Sequence, residues 1–167
     1  MPNYKKKFSR IYDQHINKIY RFIFLKVNSQ EVAEDLTSEV FLKTWQVFKK
    51  GQEIRNPNAF LYQVAKNELA SHYRKPKFQI VSTDKVNIID PQPTPEEQHK
   101  LKDDIGHVQQ VLSQLGEDYQ NAIIWRYLDG YSFKEIAQIL EKPEGTVRVM
   151  LHRALKELKE KMEMENL

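Results

Sequence analysis

Apolar positions recur at intervals of three and four along most of the chain, the period of α-helices with one buried face. The first such stretch lies between Phe8 and Ile23, and a second runs from about Glu31 to Phe48. A third begins at Pro57, with Asn56 as its cap, and ends at about Arg74. In the second part of the chain, the same spacing and the local capping residues predict four more helices: Thr94 to about Leu115, about Asp118 to Leu128, Ser132 to Leu140 and Pro143 to Met164. We therefore predict an all-α fold.

Prolines mark the boundary between two helical regions. Four of the seven prolines fall between Pro76 and Pro95, where no helical period is found. Because a residue that precedes proline disfavours the helical conformation, this segment is expected to be extended. We predict two small helical domains, residues 1–77 and 96–167, joined by an extended linker of residues 78–95.

Charge is distributed unevenly between these regions. The whole chain has 26 basic and 23 acidic residues, a net charge of +3. Residues 1–77 hold 15 basic against 7 acidic residues, a net of +8, while residues 78–167 hold 11 against 16, a net of −5. A basic domain is typical of proteins that bind a polyanion, although a solvated basic surface explains the count equally well.

Several classes of protein are disfavoured by composition. The chain has no cysteine, which excludes disulfides, thiolate zinc sites and cysteine nucleophiles. It has no Gly-rich phosphate loop and no HExxH motif, and its five histidines share no ligand spacing, so we expect no enzymatic activity, no cofactor and no metal. No apolar stretch approaches the roughly 20 residues of a membrane span. We expect a cytoplasmic protein with no membrane insertion of its own.

A helix-turn-helix layout is predicted near the C-terminus. Ser132 and Glu135 have the spacing of a capping box at the start of a short helix, and the turn Glu141 to Pro143 separates this helix from a longer one. In proteins that bind DNA through this layout, the second helix enters the major groove. Helical hairpins of this kind also occur in proteins that never touch DNA.

The longer helix has two chemically different faces. We predict that one face packs on the core through Val147, Leu151, Ala154, Leu155, Leu158 and Met162. The other face is largely basic and suits duplex DNA, because arginine reads guanine edges and lysine contacts phosphates. The candidate DNA-binding residues of this helix are Thr146, Arg148, Val149, His152, Arg153 and Lys156.

The helix from Glu31 to Phe48 carries large apolar residues outside its predicted core face. That core face consists of Val32, Ala33, Leu36, Val40 and Val47. Leu42 and Trp45 lie off this face, beside acidic side chains. Two interpretations stay open: the pair forms a surface patch that docks a partner, or another part of the domain covers it.

The loop before Pro57 and the helix after it interleave basic, amide and aromatic residues. Such a mixture suits unstacked bases, because rings stack on bases, amides read base edges and cations contact phosphates. Each residue alone is ordinary surface chemistry. The candidates for single-strand binding are Lys49, Lys50, Arg55, Asn56, Asn58, Gln63, Lys66, Asn67 and Arg74.

Two segments resemble a known family. The segment AEDLTSEVFLKTW (Ala33 to Trp45), followed by NPNAFLYQVAKNELASHYRK (Asn56 to Lys75), is similar to region 2 of the bacterial extracytoplasmic-function (ECF) sigma factors. The segment GYSFKEIAQILEKPEGTVRVMLHRALKEL (Gly130 to Leu158) is similar to region 4 of the same family. The two segments occur in family order. Their combination is far more specific than a helix-turn-helix alone.

This resemblance implies a role in transcription initiation, without catalysis. A sigma factor binds core RNA polymerase and recognises promoter DNA. The parts of the polymerase that would contact this chain are the β′ clamp and the β flap. By resemblance, the loop and third helix would capture the melted −10 element, with Phe60 added to the single-strand surface, and the last helix would read the −35 element. An anti-sigma factor is a further implied partner. The residues that would dock the β′ clamp are Asp35, Ser38, Glu39, Leu42 and Trp45.

The main alternative is a helix-turn-helix transcriptional regulator that does not dock polymerase. It accounts for Gly130 to Leu158 but leaves the segment Ala33 to Trp45 without a function. Met150 departs from the family pattern, since many relatives carry a basic residue at that position. We expect this departure to affect the −35 sequence that is recognised and not the fold.

Overall fold

All regular secondary structure is helical within residues 3–74, 107 and 109–165, the part of the chain that the computed structural model describes. The predicted all-α fold is confirmed for these residues. The chain divides into two units between Asp90 and Pro91. The predicted linker, residues 78–95, and the start of the helix expected from Thr94 lie outside the described residues, so the domain boundaries stay a prediction.

The first unit is a bundle of three helices: α1 (Tyr4–Val27), α2 (Gln30–Lys49) and α3 (Pro57–Arg74). Each helix packs against the other two. The most deeply buried side chains include Ile19, Phe22 and Ile23 of α1 and Tyr62 of α3, and the Phe22 and Tyr62 rings lie 5.2 Å apart between centroids. The core therefore lies between long helices whose outer faces remain available for other contacts.

Local capping explains where the helices of the first unit begin. The Oγ of Ser29 accepts a hydrogen bond from the Val32 N–H at the start of α2. The Oδ1 of Asn56 accepts one from the Ala59 N–H at 3.2 Å, so the predicted cap of α3 is confirmed. The predicted limits of α3, Pro57 and Arg74, match the observed ones.

The predicted core face of α2 is partly wrong. Ala33 and Val40 are buried as expected, but Val32, Leu36 and Val47 are only half-buried. The face is rotated towards Thr37, Phe41, Thr44 and Phe48, all of which are buried.

The two threonines on this buried face have hydrogen-bonded hydroxyls. The Thr37 hydroxyl donates to the carbonyl of Ala33 at 2.6 Å, and the Thr44 hydroxyl donates to that of Val40 at 2.8 Å. Because each hydroxyl is satisfied within its own helix, neither threonine brings an unpaired polar group into the core.

Polar contacts between helices add to the apolar core of the first unit. Lys43 of α2 donates a hydrogen bond to the carboxylate of Glu68 of α3, which is buried. The Tyr73 hydroxyl donates to the carbonyl of Lys26 at 2.8 Å and so joins the ends of α3 and α1. These contacts fix the position of α3, the helix that follows the candidate loop.

The second unit contains α4 (Glu117–Ile123), α5 (Phe133–Leu140) and α6 (Glu144–Glu165). Residues 109–112 are also helical. Both α4 and α5 pack against α6. The helix predicted from Asp118 to Leu128 is continuous, but its second half, Ile124–Leu128, is a π-helix. Its last hydrogen bond runs from the Asp129 N–H to the Ile124 carbonyl at 3.0 Å, five residues back.

The predicted helix-turn-helix is present. The Ser132 hydroxyl accepts from the Glu135 N–H, and the Glu135 carboxylate accepts from the Ser132 N–H, so the capping box is confirmed. The turn between the helices has Glu141 in the left-handed region, with φ of 54°. Gly130, before the capping box, has φ of 74°, a conformation that glycine adopts without strain.

The predicted core face of α6 is wrong in its second half. Val147, Leu151 and Ala154 are buried, whereas Leu155 is 37% exposed and Met162 is 41% exposed. Leu158 is half-buried. Within the described residues, α6 has 22 residues, whereas α4 together with the π-helix has 12 and α5 has 8, so these neighbours cover only part of its length.

Among the described residues, no helix combines the length and apolarity needed to cross a membrane.

Candidate nucleic-acid and polymerase interfaces

One face of α2 forms the first candidate surface, which we call the α2 surface. Asp35, Ser38, Glu39 and Leu42 are exposed, and their spacing of three and four residues brings them to one side of the helix. Leu42 is 48% exposed, which is high for a leucine in a packed bundle. An apolar side chain beside two carboxylates gives a surface suited to a partner with a basic and apolar face.

Trp45 belongs to this surface only in part. Its ring lies 5.4 Å from that of Tyr4 and 5.1 Å from that of Phe8, measured between centroids, and it is half-buried. The first turns of α1 therefore cover one side of Trp45. The sequence left two interpretations open. The domain itself partly covers Trp45, whereas Leu42 is exposed on the surface.

The loop between α2 and α3 presents basic side chains. Lys49, Lys50 and Arg55 are exposed, and Gly51 allows the turn after α2 with φ of 79°. Asn56 and Asn58 are half-buried, and the Oδ1 of Asn56 is occupied by its capping bond. The loop thus combines three accessible cations with a rigid attachment at the start of α3.

The candidate residues of α3 continue from this loop. None belongs to the bundle core, because each is half-buried or exposed: Phe60, Gln63, Lys66, Asn67 and Arg74. The candidate residues for single-strand binding therefore lie on α3 and on the loop that precedes it, and all of them are at least partly accessible.

A cavity beside the loop was not predicted from the sequence. It has a volume of about 810 Å³ and lies between the N-terminal half of α1 and the loop, and we call it the α1–loop cavity. Lys7 and Arg10 contribute to its lining from α1, and Lys49 and Arg55 from the other side. The basic cluster near the N-terminus was visible in the sequence, but its position opposite the loop depends on how the helices pack.

The candidate DNA-binding residues of α6 all lie on the surface. Thr146, Arg148, Val149, His152, Arg153 and Lys156 are exposed. The predicted division between a buried face and a basic outer face therefore holds in the first half of the helix.

Arg148 has two contacts within its own unit. Its guanidinium donates to the Glu144 carboxylate at 3.1 Å and lies 4.5 Å from the centroid of the Phe133 ring. The guanidinium of Arg126 lies 4.4 Å from the same ring and also donates to the carbonyl of Tyr131. Phe133 of α5 thereby links the position of α6 side chains to the preceding helix, a role that the sequence did not indicate.

A groove runs beside the N-terminus of α6. It has a volume of about 490 Å³ and is lined by Tyr119 of α4 together with Gly145, Val149, Met150 and Arg153, among others. No atom outside the neighbouring backbone would come within 4 Å of a Cβ at Gly145. Internal packing therefore does not require glycine there. Tyr119 joins the candidate DNA-binding surface only through the tertiary structure.

Histidine and carboxylate side chains form no cluster suited to a metal ion within residues 3–74, 107 and 109–165.

Comparison with protein families matches both units. Residues 11–78 match Sigma-70 region 2, and residues 106–158 match Sigma-70, region 4. The ECF RNA polymerase sigma factor SigL of Mycobacterium tuberculosis is 31% identical over 152 residues, which cover 89% of this chain and 85% of SigL. The chain belongs to the ECF sigma factors.

Other relatives agree with this assignment. The ECF sigma factor SigX of Bacillus subtilis is 26% identical over 96% of this sigma factor and 86% of SigX. BldN of Streptomyces coelicolor is 28% identical over 90% of the chain, which spans 58% of the length of BldN. The alternative, a helix-turn-helix regulator that does not dock polymerase, is therefore not favoured.

Solved structures show the same fold at lower identity. CnrH, in complex with the cytosolic domain of CnrY, aligns with this sigma factor at a TM-score of 0.69 and 15% identity, over 96% of this chain and 90% of CnrH. RpoE of Bartonella quintana, in complex with the anti-sigma factor NepR, aligns at 0.66 and 21% identity, over 95% of this chain and 98% of RpoE.

Proposed function

We propose that this ECF sigma factor directs core RNA polymerase to specific promoters, recognises their −10 and −35 elements and starts transcription in the cytoplasm. Its main support is the presence of Sigma-70 regions 2 and 4 in one chain and in family order. We infer that it has no catalytic activity of its own, so the polymerase supplies the chemistry.

Core polymerase is proposed to bind the α2 surface, through Asp35, Ser38, Glu39 and Leu42, with the accessible side of Trp45. The support is the exposure of Leu42 beside carboxylates, since a basic and apolar partner would bury the leucine and pair the charges. By the family resemblance, we propose that the β′ clamp of the polymerase binds this surface. The β flap is the second proposed polymerase partner.

Single-stranded DNA of the −10 element is proposed to bind the loop and α3. Melting a promoter requires unstacked bases to be held, and accessible cations next to amides and a ring offer the contacts needed. The positive charge of residues 1–77 favours such binding. The proposed residues are Lys49, Lys50, Arg55, Asn56, Asn58, Phe60, Gln63, Lys66, Asn67 and Arg74.

Duplex DNA of the −35 element is proposed to bind the exposed face of α6. The support is the basic outer face opposite the buried Val147, Leu151 and Ala154. Arg148, His152, Arg153 and Lys156 are the proposed main contacts, with Thr146 and Val149 available to thymine methyl groups.

An anti-sigma factor is proposed as a regulator of this chain. The complex of RpoE of Bartonella quintana with the anti-sigma factor NepR supports such a partner, since RpoE shares the fold of this chain.

Run-off transcription with core polymerase on a promoter library tests the function and identifies the recognised sequence. We expect specific transcripts only when this sigma factor is added. Their absence, with a known sigma factor active in the same reaction, would contradict the proposed function.

Docking is tested separately by a pull-down of core polymerase. Leu42→Ala combined with Asp35→Ala should weaken binding at least about tenfold, because both side chains are exposed on the proposed docking surface and lie outside the bundle core. Asp13→Ala, which removes an exposed carboxylate of α1, is the control and should bind normally. Trp45→Ala is a poorer test, since it also removes the contacts with Tyr4 and Phe8.

A further inference from the structure

The groove beside the N-terminus of α6 lies between this helix and α4, and we call it the α4–α6 groove. Tyr119 lines it from α4, and Val149 and Met150 line it from α6. Its volume of about 490 Å³ is within the range of sites that bind small ligands, about 300–1,000 Å³. Val149 is 50% exposed and Met150 is half-buried, so part of each side chain is accessible to a group that enters the groove.

The lining of the groove favours an apolar group. Tyr119, Val149 and Met150 contribute a ring, a branched chain and a thioether. Gly145 contributes no side chain, and no atom outside the neighbouring backbone lies within 4 Å of the position of a Cβ there, which leaves space at this end. Among the described residues that line the groove, only Arg153 is charged. An apolar occupant therefore matches most of this surface, whereas a buried polar group would find few partners.

The groove is continuous with the proposed DNA-binding face of α6. Thr146, Val149 and Arg153 belong both to its lining and to the residues proposed to contact the −35 duplex. In the major groove of DNA, the apolar group that a base pair presents is the 5-methyl group of thymine. A thymine of the −35 element is therefore the occupant whose chemistry and position both fit.

Met150 makes this groove different from that of many relatives. They carry a basic residue at this position, which can bond to a guanine edge or to a phosphate. A thioether has no hydrogen-bond donor for guanine, and the unbranched chain of methionine adapts to an irregular apolar surface. This departure should move the preference at the contacted base pair from guanine towards thymine.

We propose that the α4–α6 groove binds the 5-methyl group of one thymine in the −35 element, with Met150 and Tyr119 on its two sides. The inference rests on the proposed function of α6 and deepens it by naming a base that the helix selects. It also adds a residue of α4, outside the helix proposed to read the −35 element. Selection here depends on shape and apolar contact instead of a hydrogen bond.

Substitutions on both sides of the groove test this assignment. Met150→Ala shortens the α6 side, and Tyr119→Ala removes the ring from the α4 side. Met162→Ala is the matched control, because it makes the same change in an exposed methionine of α6 outside the groove. Met150→Leu keeps an apolar side chain of similar size and should behave like the unchanged protein. Thermal unfolding and core-polymerase binding show that each variant is folded before DNA is added.

The measurement uses holoenzyme on a promoter obtained from the run-off library, with deoxyuridine replacing each thymine of both −35 strands in turn. Deoxyuridine keeps every hydrogen-bonding group of thymine and lacks only the 5-methyl group. We expect one replacement to weaken binding by the unchanged protein about fourfold, the effect of burying one methyl group. The same replacement should change binding by less than about twofold in Met150→Ala and in Tyr119→Ala, since their groove no longer holds the methyl group. The full effect should persist in Met162→Ala and in Met150→Leu.

Full sensitivity to this replacement in both groove variants would overturn the proposal, because the methyl group would then be read elsewhere. An equal loss of sensitivity in Met162→Ala would overturn it too. The first arm needs no variant: if no replacement weakens binding by the unchanged protein, or if the −35 element contains no thymine, the proposal is wrong. These results leave the proposed function intact, since the promoter is still transcribed. If no promoter in the library gives transcripts with core polymerase, the proposed function itself fails.

Discussion

Phe133 is a residue whose contacts give it a role beyond filling space. The guanidinium groups of Arg126 and Arg148 lie 4.4 and 4.5 Å from the centroid of its ring. Cation–π contacts at accessible sites contribute about 0.5–1 kcal/mol each. They limit the rotamers of Arg148, which would lower the entropy lost when Arg148 binds the −35 element as proposed.

Phe133→Leu should therefore weaken binding to the −35 duplex by about two- to fivefold, with little change in fold. The substitution keeps an apolar side chain and removes the ring. Fluorescence anisotropy with holoenzyme and the promoter gives the dissociation constant.

The Arg148→Ala background supplies the control. If Phe133 acts through Arg148, Phe133→Leu has no further effect in that background. A full effect in both backgrounds would contradict the role assigned to the ring.

Lys43 and Glu68 show a different consequence of side-chain pairing. Glu68 is buried and its carboxylate accepts a hydrogen bond from the Lys43 ammonium, which raises the pKa of Lys43. Lys43→Met should lower the free energy of unfolding by about 1–3 kcal/mol, because it leaves a buried carboxylate without this partner. Urea unfolding measures the loss. Glu68→Gln in the same background should restore part of it, and no recovery would contradict the explanation.

At the scale of the element, α1 carries a group that makes stability depend on pH. His15 is half-buried, and its Nδ1 has no hydrogen-bond partner among the described residues. Burial, and next the charge of Lys18, lower the pKa of His15 below its ordinary value of 6.5. The folded state therefore binds fewer protons than the unfolded state as the pH falls through this range.

The free energy of unfolding should consequently fall as the pH drops below about 6.5, and the His15 contribution should be complete above that pH. Urea unfolding at pH 7.5 and 5.5 measures the difference. His15→Gln should reduce the loss between these two values. An equal loss in both proteins would show that other groups cause it.

The start of α6 offers a test of close approach to DNA. A Cβ at Gly145 would meet no atom within 4 Å, so Gly145→Ala should not strain the fold and should favour the helix by up to about 1 kcal/mol. If glycine serves to let the DNA backbone come close, the same substitution should weaken duplex binding. Thermal unfolding and anisotropy measure the two effects. Unchanged binding would mean that Gly145 has no such role.

Elements bounded by strong local signals were predictable from the sequence. The limits of α3 follow from the Asn56 cap, Pro57 in the first turn and the proline after Arg74. The capping box at the start of α5 was likewise predictable from the spacing of Ser132 and Glu135. These signals act within a few residues, so no knowledge of the neighbouring helices is needed.

Features that depend on neighbouring helices were not predictable. The predicted core face of α2 did not include Thr37 and Thr44, whose burial depends on the position of the helix and on hydrogen bonds to Ala33 and Val40. Leu155 and Met162 were assigned to the core because periodicity does not show where α4 and α5 end. The same holds for the candidate sites. The sequence predicted the basic residues of the loop, but it did not predict that α1 lies opposite them across a cavity.

At the scale of the whole molecule, binding to promoter DNA should be strongly salt-dependent. Every phosphate contact by lysine or arginine releases counterions, with a slope of about 0.9 for each contact on duplex DNA. Lys156→Ala should lower the slope of log binding against log salt by about one unit in the holoenzyme. Lys134→Ala, an exposed cation on α5 outside the proposed contacts, is the control. An unchanged slope would remove Lys156 from the phosphate contacts.

The two units can be followed separately by tryptophan fluorescence. The protein has two tryptophans, and one lies in each unit. Trp45 is half-buried against two rings of α1, and Trp125 is fully buried within the π-helix. Replacing either with phenylalanine leaves a single intrinsic fluorophore that reports on one unit alone. Each half of this sigma factor thus carries its own optical label. The emission of Trp45 can signal arrival of the polymerase, and that of Trp125 can signal unfolding around the helix-turn-helix.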